Sequence, residues 1–132
     1  MDAALRQWVR TRAGECCEYC GLQKQQAPFA QFHVDHIIAR QHGGTDEPDN
    51  LALACHRCNH HKGPNLTGID PENNEIVRLF NPRQEAWDEH FALQGLLVIG
   101  LTPVGRTTVR VLAMNAPDRI QLRAELLEND EL

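Results

Sequence analysis

Two Cys-x-x-Cys pairs, Cys17-x-x-Cys20 and Cys55-x-x-Cys58, restrict this chain more than any other feature. Each pair presents two thiolates on one turn, and together they make the four soft ligands, each about 2.3 Å away, that tetrahedral Zn²⁺ requires. The chain has five cysteines, an odd number, and its opening MDAALRQWVR has no apolar core of signal-peptide length. Without an export signal, the pattern reads as metal binding before disulfides. Free buried cysteines or a redox pair are the alternatives, and matched spacing in both pairs weighs against them. Cys16 can replace Cys17 as a ligand, but only Cys17 keeps that spacing, so Cys16 is read as a bystander. Filled by four thiolates, the ion has no open position for water, and its expected work is structural. The 34 residues between the knuckles exceed a minimal zinc ribbon, so the loop must itself hold folded structure.

A chain of 132 residues fits one domain, or one compact core with an extension packed on it. Its net charge of −5 is unevenly spread. Residues 1–65 hold seven Lys/Arg and seven Asp/Glu, whereas residues 66–132 hold six and eleven, the whole difference of five. That acidity argues against indiscriminate DNA binding but not against a local phosphate site, and a bound cation adds positive charge where it matters. Aromatics at 5% are too few for a stacking platform on single strands. The longest apolar run, Gly95-Leu-Leu-Val-Ile-Gly-Leu101, is too short to cross a bilayer. A soluble, cytoplasmic protein without membrane partners is expected.

Hydrophobic spacing predicts a helix over 3–12, with Leu5, Trp8 and Val9 on one face. Phe32–Ile38 reads as a strand, 41–50 as a polar glycine-rich loop, and Leu51–Ala54 as a lead into a short helix that begins at the second cysteine pair and stops at Gly63-Pro64. Beyond Asn65 the pattern gives a turn at 70–74, a strand at 76–80, a helical turn from Asn81-Pro82 to Trp87, and strands at 89–93 and 96–101. Thr102-Pro103 is an N-cap with proline at N1, opening a helix to Met114, and a last helix runs from Pro117 to about Glu128. The fold class is α+β, with a small zinc-stabilised module at 1–65 and an α+β extension at 66–132 expected to pack on it.

Inside the knuckles lie Val34-Asp35-His36-Ile37-Ile38, then Gly43-Gly44-Thr45-Asp46, then Asn50-Leu51, and finally Cys58-Asn59-His60-His61-Lys62-Gly63. In order, spacing and frame these resemble the HNH endonucleases over residues 12–64. That resemblance implies a ββα-metal (His-Me finger) nuclease fold of the His-Asn-Asn variety. It further implies His36 as general base, Asp35 and Asn59 as ligands of a catalytic Mg²⁺ or Mn²⁺, and Asn50 as a loop clamp that orients His36. The residue types suit such roles. An imidazole takes a proton from water at neutral pH, and carboxylate and amide oxygens suit a hard cation. His60 or His61 remains an alternative ligand to Asn59. Neighbours on a regular strand point to opposite faces, so Asp35 and His36 share one site only if the strand bends or ends there, and such an irregularity is expected.

Lys62, Arg57, Arg40 and His60 are candidate phosphate contacts, with a solvated charge the plain alternative. His33 and His42 read as surface histidines. Trp87, Phe80 and Phe91 read as core, and Asn81, Arg83 and His90 as polar links back to the module. Arg106 and Arg110 face either DNA or solvent. The functional expectation is a metal-dependent endonuclease that hydrolyses double-stranded DNA. The alternative is a non-catalytic zinc-containing nucleic-acid-binding module.

Overall fold

The computed structural model describes residues 1–132. At its centre β1 (Phe32–His36) and β2 (Leu51–Cys55) form an antiparallel hairpin, paired without a break from Phe32↔Cys55 to His36↔Leu51. Helix α2 (His56–Lys62) starts at the next residue, completing a ββα unit. Cys55 is its N-cap, with Sγ accepting the Cys58 N–H at 3.5 Å, so one knuckle both starts the helix and offers two thiolates. Gly63 ends it at φ 50°, ψ −139°, a backbone conformation that L side chains rarely adopt.

β2 is buried at every position. Both α1 (Ala3–Arg12) and α2 pack on it, which is why Leu-Ala-Leu-Ala reads as an unbroken apolar run rather than an alternation. Burial of Leu51 and Leu53, each fully shielded, contributes about 1.5–3 kcal/mol apiece. Asp2 caps α1 through Oδ1 on the Leu5 N–H at 2.8 Å. At its other end Arg12 donates to the carbonyls of Pro48 (2.9 Å) and Leu51 (2.6 Å), and Arg10 donates to that of Phe32 (3.2 Å).

Two further hairpins, β3 (Thr67–Ile69) with β4 (Ile76–Arg78) and β5 (Phe91–Gln94) with β6 (Leu97–Gly100), carry α3 (Trp87–His90), α4 (Pro103–Val111) and α5 (Pro117–Glu128). Several boundaries depart from the sequence reading. β3 was not foreseen, since Thr-Gly-Ile is too short to show a period. β4 stops at Arg78 because Leu79 and Phe80 turn their N–H groups to Leu66 O and Thr108 Oγ1. After Asn81 the chain makes one turn on the Asn81 carbonyl and side chain, and the helix proper begins only at Trp87. α4 ends at Val111 rather than Met114, with Ala113 at φ 51° breaking the helical path. Thr102 caps α4 as expected, its Oγ1 accepting the Gly105 N–H at 3.0 Å. Gly105 permits close docking there, because a Cβ would fall 2.0 Å from the His90 carbonyl oxygen.

The extension shares the core. One apolar cluster joins Val9, Tyr19, Phe32, Leu51 and Leu53 to Phe80, Phe91, Val98, Leu112 and Met114. Trp87 Nε1 donates to the Tyr19 carbonyl at 2.8 Å, and Arg83 pairs with Glu18, whose other oxygen accepts the Leu53 N–H at 2.8 Å. His90 and Asn81 bond within the extension instead, to Thr102, Glu85 and Arg83. Arg106 binds Asp70 and Glu72, so its charge is already matched. No helix is long and apolar enough to cross a membrane.

Candidate active site and zinc centre

The end of β1 divides two neighbouring side chains. Asp35 points inward and is 4% exposed, while His36 points outward. No bulge brings them together: the ladder is regular through His36, and the strand simply ends there, with bends at 37 and 38. Asn50 then takes over from the ladder. Its Oδ1 accepts the Ile38 N–H at 2.9 Å, and its Nδ2 donates to the carbonyls of Ile38 (3.0 Å) and Thr45 (2.8 Å). One amide thereby ties the strand end to the far side of the loop.

On the outer side His36 Nε2 lies 2.7 Å from Asp46 Oδ1, and Arg40 donates to both oxygens of Asp46 at 2.8 and 2.9 Å. The His36 hydrogen bond, followed by Arg40, holds the Asp46 carboxyl below its ordinary range. Arg40, expected to meet phosphate, has its charge matched by this aspartate.

On the inner side Asp35 Oδ2 accepts from the Tyr19 hydroxyl at 2.8 Å and pairs with Lys62 Nζ at 3.1 Å. Lys62 also donates to the carbonyls of His36 (3.0 Å) and Ile37 (3.1 Å). This overturns the reading of Lys62 as a phosphate contact: it is 2% exposed, and its donors are committed to the strand end. Burial pushes the Asp35 carboxyl above its ordinary range, against the pull of Lys62 and Tyr19.

Asn59 stands one turn before Lys62 on α2, half-buried. For an oxygen-bound cation the donor types of Asp35 and Asn59 are suitable. Asp35 Oδ2 is engaged twice, but Oδ1 has only a 3.5 Å approach from Lys62, so one carboxylate oxygen keeps lone pairs for a ligand. On that observation Asp35 keeps an oxygen of the type a hard cation takes, while Tyr19 and Lys62 hold the rest of the carboxylate.

The remaining polar side chains of α2 face outward. Arg57 pairs with Asp118 and approaches His61 Nε2 at 3.2 Å, so this guanidinium too is engaged. His60 is exposed and stacks on His56, with ring centroids 6.2 Å apart, and His56 Nδ1 lies 2.9 Å from His33 Nε2.

Cys17, Cys20, Cys55 and Cys58 bring their Sγ atoms within 4.8 Å of one another. Cys20 and Cys55 are 3.8 Å apart, the separation of two sulfurs on a tetrahedral ion with bonds of about 2.3 Å. Burial pushes the Cys17 thiol up, bonds within the quartet push Cys58 up, and the same neighbours hold Cys55 far below its ordinary value. Four sulfurs at this spacing could hold a metal ion, and the donor set suits Zn²⁺. Cys16 stays outside, with its thiol directed to the Gly21 carbonyl. From α5, Arg119 donates to Cys55 Sγ at 3.3 Å.

Sequence reasoning missed Tyr19, Glu18, Asp46 and Arg119. Tyr19 looked like filler inside a knuckle, and Glu18 and Arg119 act across long stretches of chain. Asp46 carried a signal, a carboxylate directly behind Gly-Gly-Thr and ten residues after the histidine it meets.

Residues 17–65 match the family described as HNH endonuclease. Over 61 residues the chain is 38% identical to the CRISPR-associated endonuclease Cas9 of Corynebacterium diphtheriae. The matched stretch is 46% of this chain and 5% of that protein, so the chain spans only a small part of the relative. No solved structure matches significantly.

Proposed function

We propose that the protein, whose residues 17–65 match the HNH endonuclease family, is a metal-dependent endonuclease that hydrolyses phosphodiester bonds of double-stranded DNA. His36 takes a proton from water, the hydroxide formed attacks phosphorus, and the bond to the 3′ oxygen breaks. The products are a 5′-phosphate and a 3′-hydroxyl, protonated from solvent. Asp35 and Asn59 would hold Mg²⁺ or Mn²⁺. When bound, that cation offsets charge developing on the phosphate and the leaving oxygen. The four cysteines would hold a structural Zn²⁺. Asn50 fixes the strand end that carries both Asp35 and His36, and exposed His60 is available to phosphate. The observation that carries this reading is an outward, partly exposed His36 held by a carboxylate at the mouth of a clamped loop.

A plasmid-nicking assay tests it. Zinc-loaded protein is expected to nick with Mg²⁺ or Mn²⁺, stop with EDTA, and resume when the cation returns. His36→Ala should keep the fold and lose at least about 100-fold in rate, the usual weight of a general base. His36→Ala cutting as fast as the parent overturns the mechanism. Protein that shifts DNA in a gel but never cuts it is instead a non-catalytic nucleic-acid-binding module.

A further inference from the structure

The proton-accepting role of His36 leaves open which ring nitrogen acts, and a neutral imidazole carries its single proton on one nitrogen only. The carboxylate of Asp46 lies 2.7 Å from Nε2 and can only accept there, so the proton belongs on Nε2 and Nδ1 is bare. Three features hold Asp46 in place. Arg40 grips both of its oxygens. Asn50 pins the carbonyl of Thr45, its neighbour in the chain. At Gly44 the loop folds tightly onto the strand end, where a Cβ would fall 1.6 Å from the Ile38 carbonyl oxygen, so no other residue fits without moving the loop. The glycine brings the loop back, the asparagine locks it, and the aspartate arrives at the imidazole.

We propose that Asp46 is the positioning residue of this site: it sets the His36 tautomer and ring orientation so that Nδ1 takes the proton from water, while Arg40 holds the carboxylate in register. This rests on the nuclease reading for its catalytic consequence, but not for its structural one. The side chain of Asp46 bonds only to His36 and Arg40, and it acts through His36. A carboxylate behind a catalytic imidazole also steadies the imidazolium once the proton is taken, and elsewhere its loss costs up to about 10⁴-fold when buried. Here Asp46 is solvent-exposed and shared with Arg40, so a smaller effect is expected, about 10- to 100-fold in kcat with KM nearly unchanged.

Two measurements on intact, zinc-loaded protein decide it. Long-range ¹⁵N–¹H correlation of the imidazoles, with His36 assigned by its loss in His36→Ala, should report an Nε2-protonated ring in the parent. In Asp46→Ala the ring should give averaged signals of exchanging tautomers, with far-UV dichroism and zinc content unchanged. In the nicking assay Asp46→Ala and Asp46→Asn should both lose kcat rather than raise KM, since an asparagine can turn its NH₂ toward the ring and favour the wrong tautomer. A His36 signal identical in parent and Asp46→Ala, or an unchanged kcat in a parent that cuts, overturns the proposal. If the parent nicks no faster than His36→Ala, the nuclease reading fails, and the ring signals still decide whether Asp46 sets the tautomer.

Discussion

Replacing Lys62 with methionine keeps most of the side-chain volume and removes one buried cation. The lysine is 2% exposed and its ammonium serves Asp35 Oδ2 at 3.1 Å and the carbonyls of His36 and Ile37 at 3.0 and 3.1 Å. Methionine leaves a buried carboxylate with only the Tyr19 hydroxyl and strips two carbonyls of a donor. Breaking one side of a buried pair costs about 3–5 kcal/mol, largely the cost of the stranded charge. Against a typical stability of about 5–15 kcal/mol, Lys62→Met should fold poorly but measurably. With a urea slope of about 2 kcal/mol per molar, the midpoint should fall by roughly 2 M. Asp35→Asn strands the ammonium and should cost a similar amount. The double variant strands neither charge and should cost less than the sum by about 2 kcal/mol or more. Urea melts of the four zinc-saturated proteins, without added divalent cation, complete the cycle. Additive costs, or a Lys62→Met loss below about 1 kcal/mol, would refute the pairing as the element that fixes the strand end.

Cys55→Ser should abolish zinc binding and leave no cooperative melt, read by native mass spectrometry and thermal dichroism, because Cys55 is at once a quartet member and the cap of α2. Arg119→Ala removes a donor 3.3 Å from the Cys55 sulfur and should speed zinc transfer to a chromogenic chelator by about 10-fold or more, with the fold intact at saturating zinc. Glu85 is held down to about 2, chiefly by its double hydrogen bond from Arg78 and then by the Asn81 N–H and His90. A depressed carboxyl stabilises fully above its unfolded value of about 4.3 and loses that contribution as pH falls toward 2. Parent and Glu85→Gln should therefore differ by about 2 kcal/mol at pH 6, allowing for screening at the exposed Arg78, and converge near pH 2 in a stability–pH series. Equal pH profiles would discount the Arg78–Glu85 bridge.

What was legible in the sequence is what depends on local order. Cys-x-x-Cys spacing, the Leu-Ala-Leu-Ala strand, Thr102-Pro103 and Gly63 all act through neighbours within a few residues, and each reappears in the structure as a knuckle, a buried strand, a cap and a stop. The quartet of thiolates follows from spacing alone, because two turns of this kind have few ways to satisfy four sulfurs. The charges were not legible. Lys62 looked like any cation near a helix end, and only the fold of β1 over α2 shows that its ammonium is enclosed. Arg40 and Arg57 looked like phosphate contacts because a sequence does not reveal that Asp46 and Asp118 meet them across 6 and 61 residues of chain. Asp35 and His36 differ again: alternation foretold that they face apart unless the strand bends or ends there, and the ladder does end at His36, without a bulge.

The role of residues 66–132 follows from where their contacts land. A 65-residue unit buries too little surface to be secure on its own, and a metal or added packing normally makes up the difference. Here a cysteine quartet able to hold a metal and added packing occur together, and they meet at the same places. Trp87 fixes the Tyr19 backbone, and the Tyr19 hydroxyl holds Asp35. Arg83 fixes Glu18, which holds the β2 backbone at Leu53. Arg119 reaches a sulfur of the cysteine quartet. Two of these links end on residues that support the hairpin, Tyr19 behind Asp35 and Glu18 on β2, and the third ends on Cys55 of the quartet itself, so the extension braces the candidate site from behind and touches it at the cysteines. Trp87→Phe tests that logic: the ring packing against Phe91 is kept, one hydrogen bond worth about 1 kcal/mol is lost, and Tyr19 is freed to shift. The expected result is a modest fall in melting temperature with a disproportionate fall in nicking rate, whereas a rate that tracks stability alone would show that the extension is only packing.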